Sequence, residues 1–275
     1  MPVDFFTVVG TVGAGITIAE TTKKMHSKVG MLKKRLLDGY LKIGVFGAGG
    51  TGKTSLGYFV TGEWDKIDVL YQESPTDEKV DIGKNIMGVI WIAPGQLDRI
   101  DSFWHKMFRE IVSGKVRNVI NVVSYGFHSV AFTLENYQQH KLYENGDSKE
   151  QFLQKFLHKN REHEIRLMKE LSHRIKDAQE PVKMITLVTK QDLWWKEREQ
   201  VKGFYTNGGY NDIIQNIYKK KGENHFQHVY VSASFIHNNF NIGKDVLKLT
   251  NEGYDQVLKI QNLEAFMNEY NAFLQ

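Results

Sequence analysis

Leu41-Lys42-Ile43-Gly44-Val45-Phe46-Gly47-Ala48-Gly49-Gly50-Thr51-Gly52-Lys53-Thr54-Ser55 is the stretch from which the rest of the chain is read. A short apolar run, Ile43 to Phe46, enters an octet that fits G-x-x-x-x-G-K-[ST], the P-loop pattern, at every position. The spacing has a physical reason. Glycines let successive backbone N–H groups curl around phosphate oxygens where a side chain would collide. The helix expected from Thr54 to Thr61 adds its N-terminal dipole and free N–H groups. Lys53 is placed to reach the terminal phosphates, and the Thr54 hydroxyl to ligate Mg²⁺. Gly47, Ala48, Gly49, Gly50, Thr51, Gly52 and Ser55 complete the cradle. A strand-like lead-in and a helix-permissive follow-on are the context this motif needs, so the stretch implies a nucleoside phosphate site.

Composition narrows what surrounds the site. A 41% hydrophobic share is enough for a packed core, and 275 residues suit one large domain or one domain with appendages. With no cysteine, disulfides and thiolate metal sites are excluded, and a reducing, cytoplasmic setting fits. The net charge of +4 is local. Residues 1–42 carry seven Lys/Arg against Asp4, Glu20 and Asp38, which leaves 29 basic and 29 acidic residues of the total 36 and 32. A neutral body with a basic arm argues against a broad nucleic-acid surface, so no nucleic-acid partner is expected.

The arm has two parts. Phe5 to Ala19 is uncharged over fifteen residues, short of the roughly 20 that span a bilayer. It has no positive lead and no evident cleavage site, unlike a signal peptide. Met25, Val29, Leu32 and Leu36 then fall on one face of a helix whose other face is lysine-rich. An apolar tip followed by such a helix suits an anionic inner membrane surface, reached through residues 1–38. Packing of the arm on the protein itself or on a second copy is the alternative, and Gly10, Gly13 and Gly15 permit it.

Downstream, 62–83 reads as a polar loop. Ile86–Ile92 reads as a buried strand, Leu97–Val112 as a helix and Val116–Tyr125 as a strand. A piece without clear period, 127–149, reads as an insertion, and Lys149–Asp177 as a long helix ended by Pro181. Val182–Val188 and Gln227–Val231 read as strands, Tyr210–Lys221 and Gly253–Leu274 as helices. Strands alternating with helices predict an α/β architecture of three layers, a mostly parallel sheet with helices on both faces. We therefore divide the chain into an arm, 1–39, and one domain, 40–275.

In such a sheet, ligands sit beyond the carboxyl ends of the strands. Those ends carry the P-loop, Ala93-Pro94-Gly95-Gln96, Thr189-Lys190-Gln191-Asp192 and Ser232-Ala233-Ser234. With these motifs in this order, residues 40–275 resemble a small Ras-like GTPase, of the translation-factor-related class of P-loop proteins. The resemblance implies a P-loop GTPase fold, GTP/GDP and Mg²⁺ as ligands, a protein effector and an activating protein as partners. Glu73-Ser74-Pro75-Thr76 resembles the first switch, in which Thr76 would close over Mg²⁺ and the terminal phosphate. Pro94-Gly95-Gln96 resembles the second, in which Gln96 would orient the attacking water. Thr189, Lys190 and Asp192 fit the guanine motif [NT]-K-x-D, and Ser232-Ala233 the S-A motif. By that resemblance Asp192 accepts from guanine N1–H and the 2-amino group, Lys190 lies over the base, and the Ala233 N–H meets the 6-oxo group. Adenine offers no such donor pair, so a buried carboxylate would discriminate steeply.

One position departs from the pattern. Where the family carries D-x-x-G, with an aspartate holding Mg²⁺ through water, this chain has Ile92-Ala93-Pro94-Gly95. Mg²⁺ would then rest on Thr54, Thr76, phosphate oxygens and waters. Three functions are compared: a GTP-hydrolysing switch of slow rate, a GTP-binding scaffold with little turnover, and a P-loop kinase, which would leave the guanine motif idle. His158, Glu162, His163, Glu164 and His173 do not form H-E-x-x-H and read as a solvated helix face. Trp194 and Trp195, directly after the guanine motif, suit either packing near the base or a partner patch.

Overall fold

Strand β1 (Ile43–Phe46) lies inside the sheet, with β3 (Ile90–Ile92) on one side and β4 (Asn118–Val123) on the other. The computed structural model describes residues 23, 26–31, 34, 42–64, 67, 78–80, 90–92, 100–128, 136–236 and 253–273, with the backbone alone for 78–80, 90–92, 100–103 and 273. Among these the strand order is β2-β3-β1-β4-β5-β6, where β2 is Glu78–Val80, β5 Val182–Val188 and β6 Phe226–Ser232. All neighbouring strands run parallel except β2, which pairs antiparallel with β3 at the edge.

The strand sequences explain this arrangement. IGVF, NVINVV and VKMITLV are apolar almost throughout, as strands buried on both faces must be. Their side chains alternate between two cores. Phe46, Val119, Val123, Met184 and Val188 pack on one face with helices α2 (Ile100–Val112), α3 (Lys149–Asp177), α4 (Arg198–Asn207) and α5 (Gly209–Lys221). Ile43, Val45, Ile120, Val122, Ile185 and Leu187 pack on the other with α1 (Lys53–Thr61) and α6 (Gln256–Phe273). The connections β3→β4, β4→β5 and β5→β6 step in one direction, so the right-handed crossover rule leaves their helices on one face. The result is the three-layer α/β arrangement expected from the sequence.

Several expectations change. The loop read over 62–83 contains β2, whose register sets Glu78 opposite Ile92. Helix α4 occupies a stretch for which no element was expected. Tyr137–Gln139 forms a 3₁₀ turn within the presumed structureless insertion, and Tyr137 packs against Tyr143 and Phe152 beside the start of α3. Ser148 and Gln151 close a capping box there, and so fix where α3 begins.

Of the arm, residues 26–31 are helical and lie against the domain. Val29 is buried among the side chains of the α1–α6 core. Lys28 Nζ lies 3.0 Å from Glu264 Oε1, and the His26 and Trp64 rings are 3.9 Å apart. A part-buried surface pair of this kind contributes on the order of 1 kcal/mol or less, so Val29 is the firmer anchor. Phe5–Ala19, Met25, Leu32 and Leu36 fall outside the described residues. No described helix is long and apolar enough to cross a membrane.

Candidate phosphate and base site at the strand ends

Beyond Phe46 the chain turns through three glycines with positive φ: Gly47 at 136°, Gly50 at 77° and Gly52 at 96°. Gly47 has no substitute. A Cβ there would lie 2.1 Å from the Val122 carbonyl oxygen of β4. That contact seats the start of the P-loop directly on the neighbouring strand. Lys53 folds back over the loop, with Nζ 3.0 Å from Gly47 O and 2.7 Å from Ala48 O. Its ammonium thus stands at the rim of the cradle. Thr51 donates its hydroxyl to Ala48 O at 2.9 Å. Thr54 and Ser55 follow in the first turn of α1, which holds no acidic side chain to cancel the positive end of the helix.

The Thr189–Asp192 motif is bolted to this loop. Thr189 Oγ1 lies 2.6 Å from Thr51 O and 3.0 Å from Val123 O, and Thr189 N–H donates to Val123 O at 2.8 Å. One threonine therefore ties the P-loop, β4 and β5 together at the sheet edge. Lys190 takes a left-handed conformation, φ 60°, and sends Nζ to Phe127 O at 2.8 Å. Burial pushes the Lys190 ammonium down to about 8, against the opposing charges of Asp192 and Glu164. Asp192 is buried, and the Ser234 hydroxyl donates to its Oδ1 at 2.6 Å.

The S-A reading needs correction. Strand β6 continues through Ser232, in register with Val188. Ala233 N–H is consequently donated to Val188 O at 3.1 Å, within the sheet ladder. Ser232 accepts from Gln191 Nε2 at 2.8 Å, and Gln191 Oε1 in turn accepts from Tyr254 Oη at 3.0 Å. The serine that reaches Asp192 is Ser234, two residues later. The signal was present: in Ser232-Ala233-Ser234 only the second serine clears the strand. Phe235 follows it, at 3.9 Å from the position a Gly52 Cβ would take.

The solvated face expected on α3 divides in two. Glu162 meets His158 and Lys159 on the exposed side, as expected. Glu164 does not. It is 1% exposed and accepts from Ser124 N–H, Gly126 N–H and Tyr205 Oη. Burial by itself would raise its carboxyl; the contacts from His128, Tyr205 and the Ser124 N–H outweigh that and hold it low. Burial, reinforced by the charges of His128, Arg166 and Lys53, pushes His163 down to about 4. No group of three or more metal-ligating side chains occurs among the described residues. The two tryptophans pack inward: Trp194 Nε1 donates to Thr189 O at 2.7 Å, and Trp195 lies against Tyr254.

Thr76, Gly95 and Gln96 lie outside the described residues. Ile92 ends β3, beside Val45 of β1.

No protein-family model matches this chain, and no curated protein does. Among solved structures it is similar to an ADP-ribosylation factor-like GTP-binding protein, the small COPII coat GTPase Sar1 from Encephalitozoon cuniculi in complex with GDP. Identity is 13% and the TM-score 0.37, over 92% of this chain and 93% of that one. It is also similar to the GDP-bound signal recognition particle receptor SRβ from Chaetomium thermophilum, with 11% identity and a TM-score of 0.34, over 72% and 90%.

Proposed function

We propose that this chain binds GDP and GTP with Mg²⁺ at the strand ends and acts as a slow GTP-hydrolysing switch. The observation that carries the reading is the Thr189 junction. It holds a phosphate-binding loop and a buried carboxylate on one edge of the sheet. The loop would take the phosphates on its N–H groups, with Lys53 moving from its loop carbonyls to the terminal oxygens. Asp192, steadied by Ser234, would accept from guanine N1–H and the 2-amino group. Of the described side chains, the Thr54 hydroxyl is the oxygen donor that suits Mg²⁺, an ion that retains waters readily. Bound there, Mg²⁺ would neutralise charge on the phosphates. Gln96 is assigned the attacking water, and Thr76 closure over the phosphate. The segment 127–149 and the long helix α3 are proposed as the effector surface.

A second reading has support from Ile92. Its side chain can hold no Mg²⁺-bound water, which favours a scaffold that keeps GTP intact. Identifying the copurifying nucleotide and following GTP turnover separates the two. The switch predicts turnover that Gln96→Leu abolishes. Negligible turnover in the wild type, restored by Ile92→Asp, would establish the scaffold instead. A Lys53→Ala protein that still binds GTP tightly would contradict both.

A further inference from the structure

We propose that Glu164 is a positioning residue of the nucleotide site: from the long helix it shapes the turn Ser124–His128, so that the Phe127 carbonyl holds Lys190 in place over the base. The proposal rests on the guanine-nucleotide reading above.

Burying an ionised carboxylate is costly unless every lone pair is used. Here they are used on a single object, the turn that leaves β4. Oε1 accepts Ser124 N–H at 2.9 Å and Gly126 N–H at 3.1 Å, with His128 Nδ1 3.5 Å away. Oε2 accepts Tyr205 Oη at 2.7 Å, and the same phenol oxygen accepts Tyr125 N–H at 2.9 Å. Local preference does not favour this turn, for Tyr125 sits at φ 54° and Gly126 at φ 83°. A side chain at Gly126 would meet Leu157 O of α3 at 2.5 Å. One turn of helix away, Asn160 Nδ2 caps Gly126 O at 2.8 Å and His128 O at 3.2 Å. Phe127 N–H closes on Ser124 O at 3.0 Å. The Phe127 carbonyl accepts from Lys190 Nζ at 2.8 Å. Glu164 thus fixes, through the turn, the acceptor that orients Lys190. Its negative charge also supports the Lys190 cation from the helix side, as Asp192 does from the motif itself.

The test is release of a fluorescent GDP analogue, chased with GDP, from the full chain. Wild type, Glu164→Gln, Lys190→Met and the double variant are compared from pH 6.5 to 9. Gln keeps the shape but loses the charge-assisted bonds, and its amide NH₂ faces a Tyr205 oxygen already occupied by Tyr125 N–H. Glu164→Gln is expected to speed release about tenfold. The double variant is expected to release no faster than Lys190→Met, because the two substitutions break one chain of contacts. In Glu164→Gln, the rise in release with pH is expected to begin lower than in the wild type. Unchanged release in Glu164→Gln, or effects that multiply in the double variant, would overturn the proposal. Where Glu164→Gln does not fold, Tyr205→Phe takes its place in the same cycle, with a smaller shift in the same direction and the same contradicting outcomes. A wild type that binds no guanine nucleotide overturns the parent reading first, before any variant is compared.

Discussion

At the scale of the residue, the glycine loop after β1 depends on one missing side chain. Gly47 combines a φ of 136° with a virtual Cβ 2.1 Å from the backbone of β4. Relief would require moving β4 or the loop, since the obstructing atom is a carbonyl oxygen and not a flexible side chain. Gly47→Ala is therefore expected to cost about 3 kcal/mol or more, read as a lower denaturant midpoint. Gly146 is the control. Its φ is 98° but nothing lies within 4 Å of a Cβ there, so Gly146→Ala carries only the conformational cost of about 1 kcal/mol. Equal losses at the two glycines would show that the close approach to Val122 is not what the P-loop requires.

At the scale of the element, legibility followed the amount of local signal. Strands β4 and β5 and helix α3 were readable because each has a long apolar run or a sustained helical period. Helix α3 also begins at a serine whose capping box needs no tertiary help. Strand β2 was not readable: it is three residues, two of them charged, and exists through pairing with β3. Helix α4 hangs on two buried residues, Val201 and Tyr205, which leaves little pattern to find. The site shows the same division. The P-loop octet and the Thr189–Asp192 motif are contiguous and were visible. Ser234 was missed because its reach to Asp192 depends on where β6 ends. Glu164 was missed because a charged residue on a helix reads as solvated until its partners are known, and these come from 38 to 41 residues away. In the arm, Val29 was legible as an apolar helix position, whereas its docking on the α1–α6 core depends on long-range packing.

At the scale of the whole molecule, acid should loosen the fold before it reaches the carboxylates. Burial pushes His228 down to about 3, and burial with nearby positive charge pushes His163 down to about 4. Both stay neutral in the folded chain where an unfolded histidine, near 6.5, takes up a proton. The unfolded state then binds more protons, so stability falls as pH drops from about 6.5 toward 4. The combined loss down to pH 4 is on the order of 4 kcal/mol, most of it from His228 once His163 is discounted for its partial exposure. Denaturant titrations across that range check it, and His228→Gln should flatten part of the slope. A stability that stays level from pH 6.5 to 4.5 would contradict the burial of these rings. The assembled strand ends make a larger claim, that phosphate loop and base carboxylate act on one guanine nucleotide. Competition binding of GDP, XDP and ADP to the wild type and to Asp192→Asn tests this most directly. Asn can donate to the 2-oxo group of xanthine and still accept from N1–H. The wild type is expected to prefer GDP by at least about a hundredfold, and Asp192→Asn to reverse the preference toward XDP. Equal binding of ADP and GDP by the wild type, or an unchanged order in Asp192→Asn, would contradict the account.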